Sequence, residues 1–584
     1  MCGINGFSSK DVNLLKIMMS KTKRRGPDGE GIFVNDDISL GHNRLSIIDL
    51  DKRSNQPYIY ENLVLSFNGE IYNYKILKRE LIDLGYKFQT SSDTEVLIKL
   101  FKEFREDAFK KISGIFAISL WDKDEKKLYL IRDIVGIKPL YYKVVKGEIF
   151  FSSLIGPLKE IGNKSLNLSA VNYYANFGYN DNVETFFSGI LKVLPGELIT
   201  FQNKKIKKKK LLNYNFRENL SNQEIKVEIN KIVEKQTVSD VPIALALSGG
   251  IDSNILLSNI HKKKLTTYNL SFSYLGNKNL DSVYASNRAK EYKTNHIEIN
   301  VDDNEFINSI EQMSGITEEP IANVNSINNY ILSKNIKEKV LLCGDGGDEI
   351  FTGYNKYRSI FFLSILNRLN FLKFLNLNSN FKIENFNRLF YSDSKDMFLS
   401  FSQQRLFNIN KLLNNFKKIG SKEISFNHYN ENFSDLNLSN IILADLDTWI
   451  QNEVLIRNDK IYMNEGIEVR VPYLDQDMIE KFLFLSNLRK INFFGKTKPL
   501  LRKIYKKELK TTMKQKKGFV SPFNFWINDE KNMKIIRYFF SKEYFKSDLM
   551  NYEEIQKILD QKNKNSYLIY SVISLITFLK INNF

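Results

Sequence analysis

The stretch that decides the fold of the larger part of the chain is VPIALALSGGIDS, residues 241–253. An apolar run over residues 241–247 leads directly into the glycine pair Gly249 and Gly250, and a helix is expected over residues 254–261. A continuous apolar run that ends in a glycine turn before a helix is typical of a parallel strand buried on both faces. We therefore predict an α/β domain that begins with this strand.

The sequence downstream of this loop alternates between strand and helix patterns. Residues 265–272 and 296–301 have strand character, residues 282–292 have helix character, and a third strand ends in the glycine turn CGDGGDEIFTGY at residues 343–354. Such alternation predicts a parallel sheet with crossover helices. Residues 355–584 are rich in Phe, Leu, Asn and Lys with helical periodicity, so we expect helical extensions there.

The sequence upstream of residue 205 is of a different kind, rich in short strands. Apolar runs bounded by Gly, Asn and Asp indicate strands, and two stretches with helical periodicity indicate helices, the second with Asp93 as its cap. A charged stretch at residues 204–224 marks the boundary. We predict two domains, residues 1–205 and 220–584. The strands are expected at residues 38–40, 63–67, 115–121 and 128–132, and the helices at 74–84 and 93–103.

Composition narrows the classes of protein that fit. The 584 residues include two cysteines, Cys2 and Cys343, and four scattered histidines, which excludes a disulfide framework and a zinc site. The N-terminus has no signal-peptide pattern and no apolar run spans a membrane, so a cytoplasmic protein without a membrane partner is expected. The net charge of +18 admits a non-catalytic nucleotide-binding or RNA-binding protein. The lysines are spread along the chain, however, and we favour a solvated strand or connector for KKIKKKK at residues 204–210 and expect no nucleic-acid partner.

Phosphate chemistry is indicated by LSGGIDS, residues 247–253. Gly249 and Gly250 allow the backbone to approach phosphate oxygens, the helix that follows offers free N–H groups, and Ser248 and Ser253 supply hydroxyls. Asp252 would repel a phosphate unless it holds Mg²⁺ there. The second glycine turn carries Asp345, Asp348 and Glu349, so the two turns predict a shared Mg²⁺–nucleotide site at the ends of neighbouring strands.

Both turns resemble the pyrophosphatase-type ATP site of asparagine synthetases and their relatives. The resemblance extends to EEP at 318–320, DKIYMNEGIEVRVPYLD at 459–475, GKTKPLLR at 495–502 and KQKKGFVSPFNFW at 514–526. It implies that ATP is a substrate, cleaved between its α and β phosphates to give an acyl-adenylate that ammonia attacks. The resemblance further implies that pyrophosphate is bound by Ser248, Gly249, Gly250, Asp252 and Ser253, and that ATP is also bound by Leu247, Leu270, Cys343 and Gly344. Asp252 and Asp348 would bind Mg²⁺. Lys498 would contact the developing phosphate charge, and Asp345 would be the acid that deprotonates the incoming ammonium.

The N-terminus points to a second chemistry. Removal of Met1 would expose Cys2, whose own α-amino group, with a pKa of about 7.7–8.0, could take the thiol proton without a histidine. RGPDGEG at 25–31, GHNRLSIID at 41–49, FNGEIYN at 67–73, SSDTE at 91–95 and RDIVGIKPLYY at 132–142 resemble class II glutamine amidotransferases. That resemblance implies an αββα N-terminal-nucleophile sandwich in the first domain.

The same resemblance implies a role for each residue of a glutamine site. Arg44 would bind the α-carboxylate of glutamine, Glu70 and Asp93 its ammonium group, and the Asn68 side chain with the Gly69 N–H would form an oxyanion hole. The sequence departs from the family pattern at four positions: Arg24, Leu154, Cys343 and Asn254. Leu154 stands where a glutamate is usual near the domain contact, so domain coupling is expected to differ.

Together the two resemblances imply an enzyme of small-molecule substrates that moves ammonia from glutamine through an internal channel to an ATP-activated carboxylate. We favour aspartate as the acceptor, giving asparagine, glutamate, AMP and pyrophosphate. An amidotransferase that acts on a sugar carboxylate in surface-polysaccharide synthesis would share every motif quoted above. Homodimers are common among such relatives, but nothing in the sequence indicates one.

Overall fold

The computed structural model describes residues 2–216, 220–261, 264–272, 280–301, 303–368, 412, 438–492, 495–510, 512, 523–560 and 565–584. Of the motif at residues 514–526, residues 514–522 lie outside this part of the chain.

The N-terminal part contains two six-stranded antiparallel sheets. Their strands are β1 Gly3–Phe7, β2 Gly29–Val34, β3 Ser39–Arg44, β4 Tyr58–Tyr60, β5 Leu63–Ile71, β6 Gly114–Asp122, β7 Lys127–Arg132, β8 Tyr141–Val145, β9 Glu148–Ser152, β10 Ile190–Lys192, β11 Glu197–Gln202 and β12 Lys205–Lys210. One sheet has the order β10-β8-β9-β1-β3-β2 and the other β12-β11-β7-β6-β5-β4. The sheets meet through β1, β3 and β5.

Helices cover the outer faces of both sheets. They are α1 Val12–Thr22, α2 Tyr74–Asp83, α3 Asp93–Phe104, α4 Ala108–Lys111, α5 Gly156–Lys159 and α6 Leu168–Phe177. Helix α1 packs on β1 and β3, and α3 packs on β5, which gives the layer order αββα. The predicted sandwich is confirmed, and the lysine-rich block at residues 204–210 is the edge strand β12.

One local expectation for this half was wrong. Ser92, not Asp93, caps α3: the Ser92 hydroxyl accepts the Glu95 N–H at 3.3 Å. A serine hydroxyl in this position satisfies one of the free N–H groups of the first turn. Asp93 is therefore the first residue of α3, and its carboxylate points toward β5.

The C-terminal part is built on a five-stranded parallel sheet of order β15-β14-β13-β16-β17. Its strands are β13 Ile243–Ala246, β14 Thr266–Ser271, β15 Asn295–Asn300, β16 Val340–Leu342 and β17 Glu468–Arg470. The first strand, β13, lies in the middle, and the chain adds β14 and β15 on one side and β16 and β17 on the other. The direction of winding therefore reverses between β13 and β16, where open α/β sheets bind ligands.

The helices around this sheet follow the predicted alternation. They are α7 Asn222–Lys235, α8 Ile251–Ile260, α9 Leu280–Glu291, α10 Asp303–Thr317, α11 Asn325–Asn335, α12 Gly347–Ile350, α13 Asn355–Arg368, α14 Leu438–Asp445, α15 Ile456–Met463, α16 Gln476–Phe482, α17 Asn487–Lys490, α18 Pro499–Ile504, α19 Phe523–Trp526, α20 Glu530–Phe539, α21 Tyr552–Leu559 and α22 Ser566–Ile581. A π-helical segment, Leu446–Leu455, leads into α15. Across the described ranges, no helix combines the length and the apolar character needed to cross a membrane.

The expected start of α8 was three residues too late. The helix begins at Ile251 because Gly250, with φ −75° and ψ 166°, is its N-cap residue. Asp252 and Ser253 consequently lie in the first helical turn rather than in a loop. This placement brings the Asp252 carboxylate to the end of β13 beside β16.

Candidate active site

Cys2 lies buried between the two sheets of the N-terminal part, directly before β1. Its backbone N–H donates to Asn68 Oδ1 on β5 at 2.9 Å. The other end of the amide, Asn68 Nδ2, is buried and has no hydrogen-bond partner in the described part of the chain. At the next position, a Cβ on Gly69 would lie 2.0 Å from the carbonyl oxygen of Ile115, so only glycine fits. The site thus holds an unused buried donor beside a cysteine.

The ionisation of this site follows from its burial. Burial raises the pKa of the Cys2 thiol, while the N-terminal amino group, the Leu45 backbone and Arg44 act in the opposite direction. Burial also lowers the pKa of His42, on the neighbouring strand β3, to about 3. An imidazole with so low a pKa is a weak proton acceptor. His42 is therefore a poor candidate for the base that would accept the thiol proton.

Two acidic side chains stand near the end of β5. Glu70 Oε2 is buried without a hydrogen-bond partner in the described residues, and Asp93 Oδ2 accepts the Ile71 N–H at 3.0 Å. Burial raises the pKa of Asp93 to about 6. Burial, followed by the charges of Glu468 and Asp93, raises the pKa of Glu70 well above its ordinary value. The charge of Asp93 acts on Glu70, so the two acids lie near each other, and a cation bound between them would offset their repulsion.

The Arg44 guanidinium is held by the segment that follows β3. Nη1 donates to the carbonyl oxygen of Asp51 at 2.8 Å and to Asn55 Oδ1 at 2.7 Å, and Nη2 donates to the carbonyl oxygens of Ile48 and Asp49. A carboxylate that binds this guanidinium through its terminal nitrogens must exchange with some of these contacts.

The loop after β13 is closed by its own serines. Ser248 Oγ lies 3.0 Å from Ser253 Oγ and accepts the Gly250 N–H at 3.2 Å. Asn254 supports the loop from below, because its Nδ2 donates to the carbonyl oxygens of Ser248 at 2.8 Å and Gly250 at 2.6 Å. Asn254, one of the four positions where the sequence differs from the family pattern, thus fixes the shape of the turn with its side chain.

Two carboxylates and one ammonium converge where β13 and β16 end. Lys498 Nζ lies 2.5 Å from Asp252 Oδ2 and 2.6 Å from Asp348 Oδ1, and the lysine side chain is only 3% exposed. Glycines make room for this cluster: a Cβ on Gly347 would lie 2.6 Å from Asp252 Oδ1, and one on Gly353 would lie 1.8 Å from Asp348 Oδ1. Two carboxylates around one cation suit the oxygen-ligand preference of Mg²⁺, which is commonly bound by one or two carboxylates together with phosphate oxygens.

The remaining residues predicted for the ATP site border this cluster. Leu247, directly after β13, and Leu270, on the neighbouring strand β14, are buried, and the Leu247 N–H donates to the carbonyl oxygen of Tyr268 at 2.8 Å. A Cβ on Gly344 would lie 3.1 Å from Asp252 Cβ, so the second glycine turn touches the first. The structure therefore brings together the residues that the two turns contribute.

Asp345 lies in the same turn and faces α15. Its Oδ2 accepts from Asn458 Nδ2 at 2.6 Å and lies 3.3 Å from Cys343 Sγ. The next residue along α15, Asp459, faces the opposite way, into the N-terminal part, where it meets Arg25. Adjacent residues of one helix therefore contact the ATP-type site and the segment that carries Cys2.

Contacts between the two parts of the chain were not visible in the sequence. Glu318, the first residue of the EEP motif, accepts the backbone N–H of Ile155 at 3.0 Å and of Gly156 at 2.5 Å. Its carboxylate also lies 3.0 Å from Lys460 Nζ. The acid at this domain contact therefore comes from the C-terminal part, next to Leu154, where a glutamate was expected from the N-terminal part.

Comparison with known proteins agrees with both halves of the structure. Residues 1–212 match the glutamine amidotransferase domain family, and residues 224–580 match the asparagine synthase family. The chain is 29% identical over 618 aligned positions to asparagine synthetase [glutamine-hydrolyzing] 1 of Bacillus subtilis, covering 100% of this chain and 97% of that protein. It is 28% identical to amidase chry2 of Gibberella zeae, covering 61% of this chain and 57% of that protein.

A buried N-terminal cysteine in an αββα sandwich, joined to a parallel sheet with an acidic glycine-loop site, defines a two-domain glutamine amidotransferase. The match of residues 224–580 to the asparagine synthase family, over more than half of the chain, shows which family of amidotransferases this is. The chain belongs to the asparagine synthase family, whose members are carbon–nitrogen ligases that use ATP and take their nitrogen from glutamine.

Proposed function

We propose that this chain is a glutamine-hydrolysing asparagine synthetase with a glutaminase domain at residues 1–205 and an ATP-dependent domain at 220–584. The observation that carries the proposal is that α15 serves both sites: Asp459 pairs with Arg25, which in turn bonds the carbonyl oxygen of Cys2, while Asn458 bonds Asp345. Ammonia released at one site would then pass to the other inside the protein, which matters because free ammonia mostly protonates in water.

The first half-reaction takes place at Cys2. Once Met1 is removed, the α-amino group accepts the thiol proton, and the thiolate attacks the amide carbon of glutamine. Asn68 Nδ2 and the Gly69 N–H stabilise the oxyanion that forms. The carbon–nitrogen bond breaks, ammonia leaves with the proton, and water then hydrolyses the thioester to glutamate and free cysteine.

Glutamine is oriented by charge. Its α-ammonium group occupies the pocket between Glu70 and Asp93, where Glu70 Oε2 lacks a partner among the described residues. Its α-carboxylate exchanges with the oxygens that hold the Arg44 guanidinium, whose fork matches a carboxylate.

The second half-reaction uses the two glycine turns. The loop of Ser248, Gly249, Gly250 and Ser253 holds the β and γ phosphates, and Asp252 and Asp348 are the residues that would hold Mg²⁺, whose charge offsets that of the pyrophosphate.

The site first transfers an adenylyl group to the acceptor carboxylate and then transfers the acyl group to ammonia. An oxygen of the acceptor carboxylate attacks the α phosphorus and pyrophosphate departs, with Lys498 near the charge that develops. Asp345 accepts a proton from the incoming ammonium, and the resulting ammonia attacks the acyl carbon as AMP departs.

Aspartate is the acceptor that the likeness over nearly the full length of a protein named asparagine synthetase supports. Product analysis with aspartate, glutamine and Mg-ATP tests this directly and should yield asparagine, glutamate, AMP and pyrophosphate. ADP and phosphate would contradict the adenylate route. AMP that forms only when a uronic-acid sugar replaces aspartate would assign the enzyme to sugar-carboxylate amidation instead.

A further inference from the structure

The glutamine pocket is bordered by a strand of the other domain. Strand β17 lies at the edge of the parallel sheet, and its residues Glu468 and Arg470 point to the same side because side chains alternate along a strand. Both are fully buried. Arg470 Nη2 lies 3.8 Å from Glu70 Oε1, and Arg470 Nε lies 2.5 Å from Glu468 Oε1. An arginine of the ATP-dependent domain thus reaches the carboxylate that borders the glutamine pocket.

The Arg470 guanidinium is fixed from three directions. Nη1 donates to the carbonyl oxygens of Gln236 at 2.8 Å and Val238 at 2.6 Å, and Nε is held by Glu468. The Arg470 carbonyl oxygen accepts the Cys343 N–H at 2.9 Å, so its backbone is anchored in the sheet as well. Only Nη2 has no hydrogen-bond partner in the described residues, and this nitrogen faces Glu70.

The charged groups around Glu70 come from both domains. The carboxylates of Glu468 and Asp93 oppose its ionisation, and the Arg470 guanidinium and the N-terminal amino group favour it. Tyr72 and Tyr74 also face this group, and burial keeps both phenols neutral. The buried Lys138 also acts on Glu468, so Arg470, the cation that faces Glu70, is one part of a charge cluster shared by the two domains.

We propose that Arg470 is a positioning residue for glutamine: it holds Glu70 as a carboxylate with Oε1 toward itself, which leaves Oε2 for the substrate ammonium. The glutamine site is then completed only when the two domains are docked. This inference rests on the proposed glutaminase function and adds to it the dependence of substrate binding on the second domain.

The test compares glutamine with glutaramate, which is glutamine without the α-ammonium group, in the full-length enzyme. Arg470→Met should raise KM for glutamine by about 10- to 100-fold, because a Glu70 side chain that becomes neutral loses its charge-assisted contact with the substrate ammonium, and it should leave KM for glutaramate nearly unchanged. KM for glutamine should rise in acid as Glu70 becomes protonated, and this acid limb should begin at a higher pH in Arg470→Met than in the wild-type enzyme. Arg470→Lys should restore part of the loss because it keeps the charge.

Glu468→Gln removes a negative charge from the same cluster, whereas Arg470→Met removes a positive one. It provides a second test if Arg470→Met does not fold. It removes a carboxylate that competes for Arg470, so the acid limb of the glutamine KM should move to lower pH. Lys339→Met is the matched control, since it removes a partly exposed ion pair between the domains, Lys339 to Asp28 at 2.8 Å, and should change neither KM.

The outcomes separate the inference from the function on which it rests. A wild-type enzyme that hydrolyses no glutamine overturns the proposed function. If the wild-type enzyme is active but the Arg470 and Glu468 variants keep its preference for glutamine over glutaramate and its pH profile, the inference is wrong.

Discussion

Arg25 and Asp459 form a buried ion pair between the two domains, with Nη1 2.6 Å from Oδ2 and each side chain 2% exposed. A second contact, Nη2 to Oδ1 at 3.2 Å, makes the pair two-pronged. Arg25 Nε also donates to the carbonyl oxygen of Cys2 at 3.2 Å. One guanidinium therefore fixes the start of β1 against a helix of the ATP-dependent domain.

Breaking this pair from one side should be costly. Arg25→Met or Asp459→Leu leaves a single buried charge and should lower the free energy of unfolding by about 3–5 kcal/mol. The double variant should recover most of that loss, because it removes both charges together. Denaturant unfolding of the three variants measures the effect. Lys10→Met, which removes an exposed pair with Asp36, is the control, and single variants no less stable than this control would contradict the prediction.

Cys2→Ala should separate the two half-reactions. It deletes the proposed nucleophile, so glutamine-dependent synthesis should vanish, while synthesis driven by ammonium salt at mildly alkaline pH should continue near the wild-type rate. Mass spectrometry of the wild-type protein should find Met1 absent, since the α-amino group of Cys2 is the proposed base. Glutamine hydrolysis by a protein that retains Met1 would rule out that base, and activity of Cys2→Ala with glutamine would rule out the nucleophile.

Asp252→Asn and Asp348→Asn should have the reverse effect. Each removes one of the two carboxylates proposed to hold Mg²⁺, and AMP formation should fall by about 100-fold or more because the pyrophosphate loses the metal charge that offsets its own. Glutaminase activity should largely survive. Chelation of Mg²⁺ in the wild-type enzyme should produce the same pattern. Asp447→Asn, in the same domain but outside the glycine turns, is the control, and equal loss of both activities in the Asp252 and Asp348 variants would indicate misfolding.

The sequence predicted most of what lies within each domain. Apolar runs and glycine turns determine local structure, so the strands around Asn68 and the loop from Leu247 to Ser253 could be located in advance. The errors were small and local. They concerned the cap of α3, where Ser92 competed with Asp93, and the start of α8, where Gly250 proved to be the cap residue.

The affinity for glutamine should depend on pH through Asp93. Burial raises the pKa of this carboxyl to about 6, so it is ionised at neutral pH and neutral in mild acid. A neutral carboxyl attracts the substrate ammonium less, and KM for glutamine should therefore rise as the pH falls through 6. The glutaminase assay between pH 5 and 8 measures this limb. In Asp93→Asn the part of the limb near pH 6 should be absent and KM should be raised throughout, while the part that belongs to Glu70, which the Arg470 and Glu468 variants shift, should remain. A limb near pH 6 that is unchanged in Asp93→Asn would contradict the assignment to Asp93.

What the sequence could not reveal is how the domains meet. Arg25 and Asp459, or Glu70 and Arg470, are hundreds of residues apart, and no local pattern links an arginine in one domain with an acid in the other. Each of these residues alone resembles an ordinary surface charge. Only the docking of β17 and α15 against the sandwich shows that they are buried partners.

Strand β12 has a consequence for how these molecules behave in a crowded solution. It pairs with β11 on one side, and no strand in the described part of the chain pairs with its other side. Five of its six residues, Lys205–Lys210, are lysines. Two copies that approached edge to edge would place rows of ammonium groups against each other, so this edge resists the strand addition that leads to aggregation. Part of the net charge of +18 thus opposes self-association along this edge.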